Sequence, residues 1–304
     1  MKIFVTGVGG QLGYDVAKRL KSMGIETVSS DVYDSPTVDT GTDYIKMDIT
    51  DAESVHEIIT NVRPDAVIHC AAYTAVDAAE NEENAPTVNA VNVVGTENIA
   101  RACKKIGCKM MYISTDYVFD GKGTNAWQPD SSDFSPLNNY GASKFAGERT
   151  VVKNLDNFFI VRISWVFGIN GKNFVKTMLS LGKKLGELRV VNDQIGTPTY
   201  TYDLALLISE MIVSEKYGFY HATNEGGYIS WYDFAVAIFD IASEYDPSYK
   251  DVRVIPVSTE EYGVSKAKRP LNCRLDKSKL SEQGFHTLPD WKDALRRYII
   301  DLGL

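Results

Sequence analysis

The stretch 5–13, "VTGVGGQLG", decides the fold of this chain. An apolar run over 2–7 predicts a buried strand that leads into it, and an amphipathic run over 11–23 predicts a helix that follows it. The glycines of such a turn make the tight bend, let the backbone approach a pyrophosphate, and let the helix pack closely on the strand. Free N–H groups at the start of the helix favour the anion. The candidate cofactor-binding residues here are Gly7, Gly10, Gln11, Leu12 and Gly13.

Asp31 ends the next predicted strand, 26–31. An acid at this place binds the hydroxyls of an adenine ribose and repels a 2′-phosphate, and no Arg follows at 32–34. The sequence therefore predicts NADH or NADPH as cofactor, with NADH favoured by Asp31. Within "MDITD" (47–51), Asp48 and Ile49 are further candidates beside the adenine, although a helix N-cap or turn carboxylate is an equal interpretation of Asp48.

The first half of the chain alternates short apolar runs with longer amphipathic runs. The predicted strands are 2–7, 26–31, 65–72, 109–115 and 158–164, and the predicted helices are 11–23, 53–62, 84–106 and 140–154. Near-continuous apolar strands separated by helices indicate a parallel sheet that is covered on both faces. The predicted fold class is therefore α/β, a Rossmann-type doubly wound parallel sheet whose ligands bind beyond the carboxyl ends of the strands.

After residue 165 this alternation breaks. The predicted elements there are helices 173–185, 201–215, 230–244 and 290–302 and strands 188–192 and 218–223. We expect a dinucleotide-binding Rossmann domain of 1–165 plus 198–223. A smaller C-terminal α/β substrate-binding domain is expected from 166–197 and 224–304, with a cleft between the two.

Composition excludes several partners. The net charge is −8 and no cluster of Lys and Arg stands out, which argues against nucleic acid as the main partner. No apolar run is long enough to cross a bilayer, and the N-terminus lacks the pattern of a signal peptide, so we expect no membrane partner and a cytoplasmic protein. The four cysteines have no C-x-x-C spacing and the four histidines are scattered. No metal site is predicted.

A candidate catalytic pair stands in "NYGASKFAGE" (139–148). The pattern Tyr-x-x-x-Lys, which places both side chains on one helical face, occurs three times: Tyr14/Lys18, Tyr140/Lys144 and Tyr262/Lys266. Only Tyr140 and Lys144 fall on a helix near the strand ends, and "YISTDYVFDG" (112–121) brings Thr115 to the same edge. A phenol has a pKa of about 10, and a neighbouring ammonium is expected to lower that pKa toward the working pH.

Three of these stretches resemble the extended short-chain dehydrogenase/reductases: "TGVGGQLG" (6–13), "STDYVFDG" (114–121) and "YGASK" (140–144). The resemblance implies that Tyr140 protonates a carbonyl oxygen as hydride reaches its carbon. It also implies that Lys144 holds the nicotinamide ribose as well as tuning Tyr140, and that Thr115 orients the substrate oxygen.

Longer stretches resemble one family of that group, the dTDP-4-dehydrorhamnose reductases: "AAYTAVDAAE" (71–80), "RISWVFG" (162–168), "VVNDQIGTPTYTYDLA" (190–205) and "RPLNCRLDKSKL" (269–280). The resemblance covers essentially the whole chain. It implies NAD(P)H-dependent reduction of the 4-keto group of dTDP-4-dehydro-6-deoxy-L-mannose to dTDP-L-rhamnose, a precursor of cell-surface polysaccharide. The residues it places along the cofactor are Ala71, Ala72 and Tyr73, and those it places at the sugar site are Thr74, Thr115, Asp116 and Trp165.

Other interpretations remain at this point. Asp116 is followed by Tyr117 instead of Glu, which disfavours a dehydratase, but a reductase or epimerase of another nucleotide sugar is not excluded. A non-catalytic, cofactor-binding regulatory subunit is a third interpretation, against which the presence of the catalytic residues argues. Arg269 either binds a diphosphate or forms a salt bridge. Some relatives are described as dimers bridged by Mg²⁺ through acidic side chains, and Asp15 stands near the position where one such acid would fall. A homodimer is therefore left open, without a predicted metal.

Overall fold

The computed structural model describes the whole chain, residues 1–304. Its strands are β1 (Lys2–Thr6), β2 (Glu26–Asp31), β3 (Asp43–Lys46), β4 (Ala66–His69), β5 (Lys109–Thr115), β6 (Phe158–Ile163), β7 (Val166–Phe167), β8 (Glu187–Val191), β9 (Ile195–Gly196), β10 (Thr199–Tyr200), β11 (Gly218–His221), β12 (Asn224–Glu225), β13 (Ile229–Ser230), β14 (Arg253–Val257) and β15 (Leu288–Asp290).

Besides four short 3₁₀ turns and one π-helical stretch at Ala90–Gly95, the helices are α-helices. They are α1 (Gln11–Ser22), α2 (Ala52–Val62), α3 (Ala85–Asn89), α4 (Thr96–Ile106), α5 (Asn139–Asn154), α6 (Phe174–Leu185), α7 (Thr201–Ile212), α8 (Trp231–Tyr245), α9 (Thr259–Tyr262), α10 (Ser278–Glu282) and α11 (Trp291–Asp301). None of these helices is both long enough and apolar enough to span a membrane.

Seven parallel strands form the central sheet in the order β11-β6-β5-β4-β1-β2-β3. The chain runs outward from β1 through β2 and β3 and then returns to place β4 on the other side of β1. The switch point of the topology therefore lies between β1 and β4, where ligands of this fold bind. The predicted Rossmann-type doubly wound sheet is confirmed.

Apolar side chains cover both faces of this sheet. Helices α1 and α7 pack on one face, with Val16 and Ile208 fully buried, and α2, α4 and α5 pack on the other, with Ile59 fully buried. A third apolar cluster lies among α6, α8, α11 and β8 around Phe234. Because Leu280 of the C-terminal part packs into the first cluster, the sheet also supports that part. The division at residues 165, 198 and 223 stays a prediction.

Two predicted elements differ from the structure in ways that shape the site. The strand predicted over 65–72 ends at His69, so the residues after it turn away from the sheet toward the cleft. The helix predicted over 84–106 is interrupted by the π-helical stretch, in which the Asn92 side chain bonds both backbone groups of Tyr73. A π-bulge redirects side chains and is common at functional sites.

Close backbone contact at the switch point requires glycine. Gly7 has a φ of 72°, and a Cβ there would lie 2.5 Å from the backbone N of Ala71, just beyond β4. A Cβ on Gly13 would collide with the carbonyl oxygen of Gly7. The glycine turn is therefore in close contact on one side with the start of α1 and on the other with the backbone that follows β4.

Gly7→Ala and Gly24→Ala form a matched pair that separates this contact from backbone strain. Gly24 has nearly the same φ, 71°, with no atom near its missing Cβ. We expect Gly24→Ala to lower the free energy of unfolding by about 1–2 kcal/mol, the cost of a left-handed backbone. Gly7→Ala should cost about 1–3 kcal/mol more, because it adds overpacking. Urea denaturation without cofactor measures both, and equal losses would contradict the contact.

Candidate active site

A cleft of about 1040 Å³ opens at the carboxyl ends of β1, β2, β4, β5 and β6. The structure brings together there almost every residue that the sequence predicts for the site. Those that line it are Gly7, Gly10, Gln11, Leu12, Gly13, Asp31, Asp48, Ile49, Ala71, Ala72, Thr74, Thr115, Asp116, Tyr140, Lys144 and Trp165. Tyr73 does not line the cleft, and its backbone N–H and carbonyl are both bonded to the side chain of Asn92.

The glycine turn fits a pyrophosphate. The N–H of Gly7 donates to the Ser30 carbonyl at 2.8 Å, and the N–H of Gly10 donates to the Gly7 carbonyl at 3.0 Å. Gly10 is the N-cap of α1 and supplies no side chain to the first turn. The free N–H groups of that turn therefore remain available to an anion. Together with the length of the cleft toward Asp31, this cradle suits a dinucleotide.

Asp31 joins the end of β2 to the glycine turn. Its carboxylate accepts the N–H of Gly9 through Oδ2 and the N–H of Val32 through Oδ1, both at 2.8 Å. Each oxygen keeps a further acceptor site for a ribose hydroxyl. The nearby Lys46 is bound to Asp34, with 2.6 Å between Nζ and Oδ1.

The other predicted residues beside the adenine have defined local roles. Asp48 accepts the backbone N–H of Thr50 at 2.9 Å and its hydroxyl at 2.8 Å. Asp48 therefore forms a turn and does not cap α2, whose N-cap is Asp51, and its place beside the adenine stays a prediction. Ile49 is buried at the cleft edge, where its side chain would collide with a Cβ on Gly95.

Helix α5 presents the Tyr–Lys pair to the cleft. It starts where the Asn138 side chain accepts the N–H of Gly141 at 2.8 Å. Lys144 is buried, and its Nζ lies 4.1 Å from the centre of the Tyr112 ring, a favourable cation–π distance. Burial lowers the pKa of Lys144 to about 7, although the carboxylate of Glu148 opposes that shift.

The expected lowering of the Tyr140 pKa is wrong for this structure. Burial raises the pKa of the phenol above its usual value, the nearby carboxylate of Asp116 raises it further, and a hydrogen bond with Thr115 opposes the change. Desolvation, which disfavours the charged phenolate, is the largest of these causes. Tyr140 consequently keeps its proton at neutral pH, which is the form that a proton donor needs.

Thr115 and Asp116 lie where β5 ends in the cleft. The Thr115 hydroxyl donates to Asp116 Oδ1 at 3.0 Å and accepts the N–H of Tyr117 at 3.2 Å. Asp116 Oδ2 is buried and accepts no hydrogen bond from an N–H or O–H group of the protein, and the buried Cys273 thiol lies beside this carboxyl. Burial raises the pKa of Asp116 to about 6. An acceptor that is buried without a partner is costly, so a ligand hydroxyl at this oxygen would remove the cost.

Trp165 closes the far side of the cleft in an unusual conformation. Its φ is 49°, a left-handed value that is rare for a bulky side chain. Its ring stacks on Trp231 at 3.8 Å between centres, and Trp231 also lines the cleft. Sequence reasoning missed Trp231. The only signal was an aromatic residue at the start of the predicted helix 230–244, and the tertiary fold alone places it on Trp165.

The remaining candidates do not belong to the cleft. Arg269 forms a two-pronged salt bridge to Asp77, at 2.6 and 3.1 Å, so the salt-bridge interpretation is the correct one. Neither of the other two Tyr–Lys pairs lines the cleft, and Asp15 accepts a hydrogen bond from Thr201.

The chain is similar to several proteins described as dTDP-4-dehydrorhamnose reductases. The family model described as RmlD substrate binding domain matches residues 1–303. The dTDP-4-dehydrorhamnose reductase of Aggregatibacter actinomycetemcomitans is 40% identical over 302 residues, 97% of each chain. The crystal structure of a dTDP-4-dehydrorhamnose reductase from Clostridium acetobutylicum is 38% identical, with a TM-score of 0.90 over 100% of both chains.

A second similar solved structure contains a nicotinamide cofactor. The dTDP-4-dehydrorhamnose reductase of Bacillus anthracis, in complex with NADP, is 38% identical, with a TM-score of 0.85 over 99% of both chains. The family model and these relatives each extend over nearly the full chain. The chain therefore belongs to the dTDP-4-dehydrorhamnose reductase family.

Proposed function

We propose that this chain is an NAD(P)H-dependent reductase that converts the 4-keto group of dTDP-4-dehydro-6-deoxy-L-mannose into the hydroxyl of dTDP-L-rhamnose. The observation that carries the proposal is the convergence of Thr115, Tyr140 and Lys144 on the same cleft as the glycine turn. The full-length relatives named for this activity support the choice of substrate.

The reduction adds a hydride to the carbonyl carbon and a proton to the carbonyl oxygen. When bound, the reduced nicotinamide supplies the hydride. Tyr140 donates its phenolic proton to the oxygen, and the hydroxyl of Thr115 orients that oxygen for the transfer. Lys144, when charged, stabilises the phenolate that Tyr140 becomes and binds the hydroxyls of the nicotinamide ribose. Asp116 accepts a sugar hydroxyl through its unpartnered oxygen.

We propose that the C-terminal substrate-binding domain, residues 166–197 and 224–304, recognises the substrate together with Trp165. The stacked rings of Trp165 and Trp231 offer an apolar wall for the sugar nucleotide. A different nucleotide sugar would change which base fits beside this wall and leave the reduction itself unchanged. Oxidation of NADH or NADPH with the dTDP ketosugar, compared with GDP and UDP ketosugars, tests the choice directly. Activity with the GDP or UDP sugars alone would overturn it.

Tyr140→Phe tests the proton donor. The variant keeps the ring and loses the hydroxyl, so we expect kcat to fall by about 10²–10⁴-fold, the usual contribution of a general acid. Cofactor binding, measured by quenching of tryptophan fluorescence, should persist. Tyr14→Phe and Tyr262→Phe are matched controls because each alters the same motif outside the cleft. Near-normal turnover of Tyr140→Phe, or an equal loss in either control, would contradict the role.

Asp31→Ala tests the preference for NADH. Removal of the carboxylate should lower kcat/KM for NADH and raise the ratio of NADPH to NADH use by at least about tenfold, because the acid no longer repels a 2′-phosphate. Asp34→Ala removes an exposed acid three residues later that does not line the cleft. A ratio that changes equally in both variants would show that local charge, and not Asp31, sets the preference.

The pH dependence of kcat/KM should follow the charge of Lys144. Its pKa of about 7 means that the ammonium is charged below this pH and neutral above it. We therefore expect kcat/KM for the reduced cofactor, which reports groups of the free enzyme, to fall as pH rises through about 7. A profile that stays flat to pH 9 would show that the charge of Lys144 is not needed.

A further inference from the structure

Glu148 lies one helical turn beyond Lys144 on α5 and is almost completely buried. Its Oε1 accepts the hydroxyl of Ser114 at 2.6 Å and the Nε of Arg162 at 2.8 Å. Its Oε2 accepts Arg162 Nη2 at 2.8 Å. The carboxylate thus has three charge-assisted or hydroxyl bonds in the core and does not itself line the cleft.

These partners lie on the strands that carry the site. Ser114 directly precedes Thr115 on β5, and Arg162 lies on β6, three residues before Trp165. The carboxylate of Glu148 therefore ties α5, which carries Tyr140 and Lys144, to both strands at once. Stability alone is weak grounds for such a pair, because replacing a buried ion pair by apolar side chains of similar volume is often neutral.

Arg162 is held so that it cannot turn away from Glu148. It is fully buried, and its guanidinium lies 4.9–5.3 Å from the ring centres of Phe119, Phe134 and Phe219. Its Nη1 donates to the carbonyl of Pro129 at 2.9 Å. The ring cage fixes the guanidinium plane, which in turn fixes the carboxylate.

The other titratable groups that face Lys144 are uncharged at neutral pH. On β4 and just beyond it, burial lowers the pKa of His69 to about 3 and raises the pKa of Cys70 to about 12. On β5, burial raises the pKa of Tyr112 well above its usual value. Burial also raises the pKa of Tyr140 on α5. Glu148 is the charged group that acts on Lys144 and opposes its desolvation.

We propose that Glu148 is a positioning residue for the reduction: bonded to Ser114 and Arg162, it holds α5 in register with the end of β5 and supplies a negative charge that favours the ammonium form of Lys144. The proposal rests on the proposed function for the role of Lys144. It assigns to the buried ion pair a task beyond stability.

The test is the double variant Glu148→Gln/Arg162→Gln. Replacing both charges avoids the unpaired buried guanidinium that a single change would leave, and two amides can still bond to each other. We expect a folded protein in which the alkaline fall of kcat/KM moves about one pH unit lower, because Lys144 has lost its neighbouring charge. The ¹³C resonance of Lys144 Cε in cofactor-free protein should titrate at a correspondingly lower pH.

Two further variants complete the experiment. Asp203→Asn/Arg297→Gln removes another salt bridge, which lies outside the cleft, and should leave the profile unchanged. Glu148→Asp keeps the negative charge. In this variant the alkaline fall of kcat/KM should therefore occur closer to the wild-type pH than it does in the double variant. It also provides the test if the double variant does not fold.

The outcomes separate this inference from the proposed function. A double variant with the wild-type pH profile and the wild-type Lys144 titration overturns the role of Glu148, and so does a Glu148→Asp profile displaced by the full pH unit. A wild-type protein that oxidises no cofactor with the dTDP ketosugar overturns the proposed function. In that case the Lys144 titration still decides whether Glu148 maintains the ammonium.

Discussion

The absence of a Cβ at Gly7 is the constraint on which the rest of the structure depends. Only without that atom can the turn after β1 lie against the backbone of Ala71, beyond β4. This contact occurs at the switch point of the sheet, where the chain diverges to its two halves. It lets α1 start at the mouth of the cleft with its free N–H groups directed inward. The anion site thus depends on one close approach between two backbone segments.

Burial, rather than a local pairing of charges, controls the chemistry of the site. It raises the pKa of Tyr140, lowers that of Lys144 to about 7, and raises that of Asp116 to about 6. In the proposed reduction these groups act as a protonated phenol, a lysine that still carries charge near neutral pH and a carboxylate that can accept a sugar hydroxyl. The buried Glu148–Arg162 pair lies behind them and connects their elements.

Much of this site could be predicted because its parts are local in the sequence. The glycine turn, the acid at the end of β2 and the Tyr–Lys pair on one helix each depend on spacings of a few residues. What the sequence left open or placed differently depends on contacts between distant segments. Tyr73 lies outside the cleft, and Asn92, in a π-helical stretch that periodicity does not predict, bonds its backbone. Arg269 is bound to Asp77, a partner almost two hundred residues away.

The sequence by itself determined the Rossmann-type sheet, the family and the positions of the glycine turn and the Tyr–Lys pair. Hydrophobic periodicity and glycine spacing extend over a few residues, so they can be recognised in the sequence alone. Only the tertiary structure decided which charges are buried and which groups face them. The stacking of Trp231 on Trp165, the unpartnered oxygen of Asp116 and the three bonds of Glu148 belong to this second class. Desolvation and side-chain contact depend on every segment packed around a residue, and no single stretch of sequence records that environment.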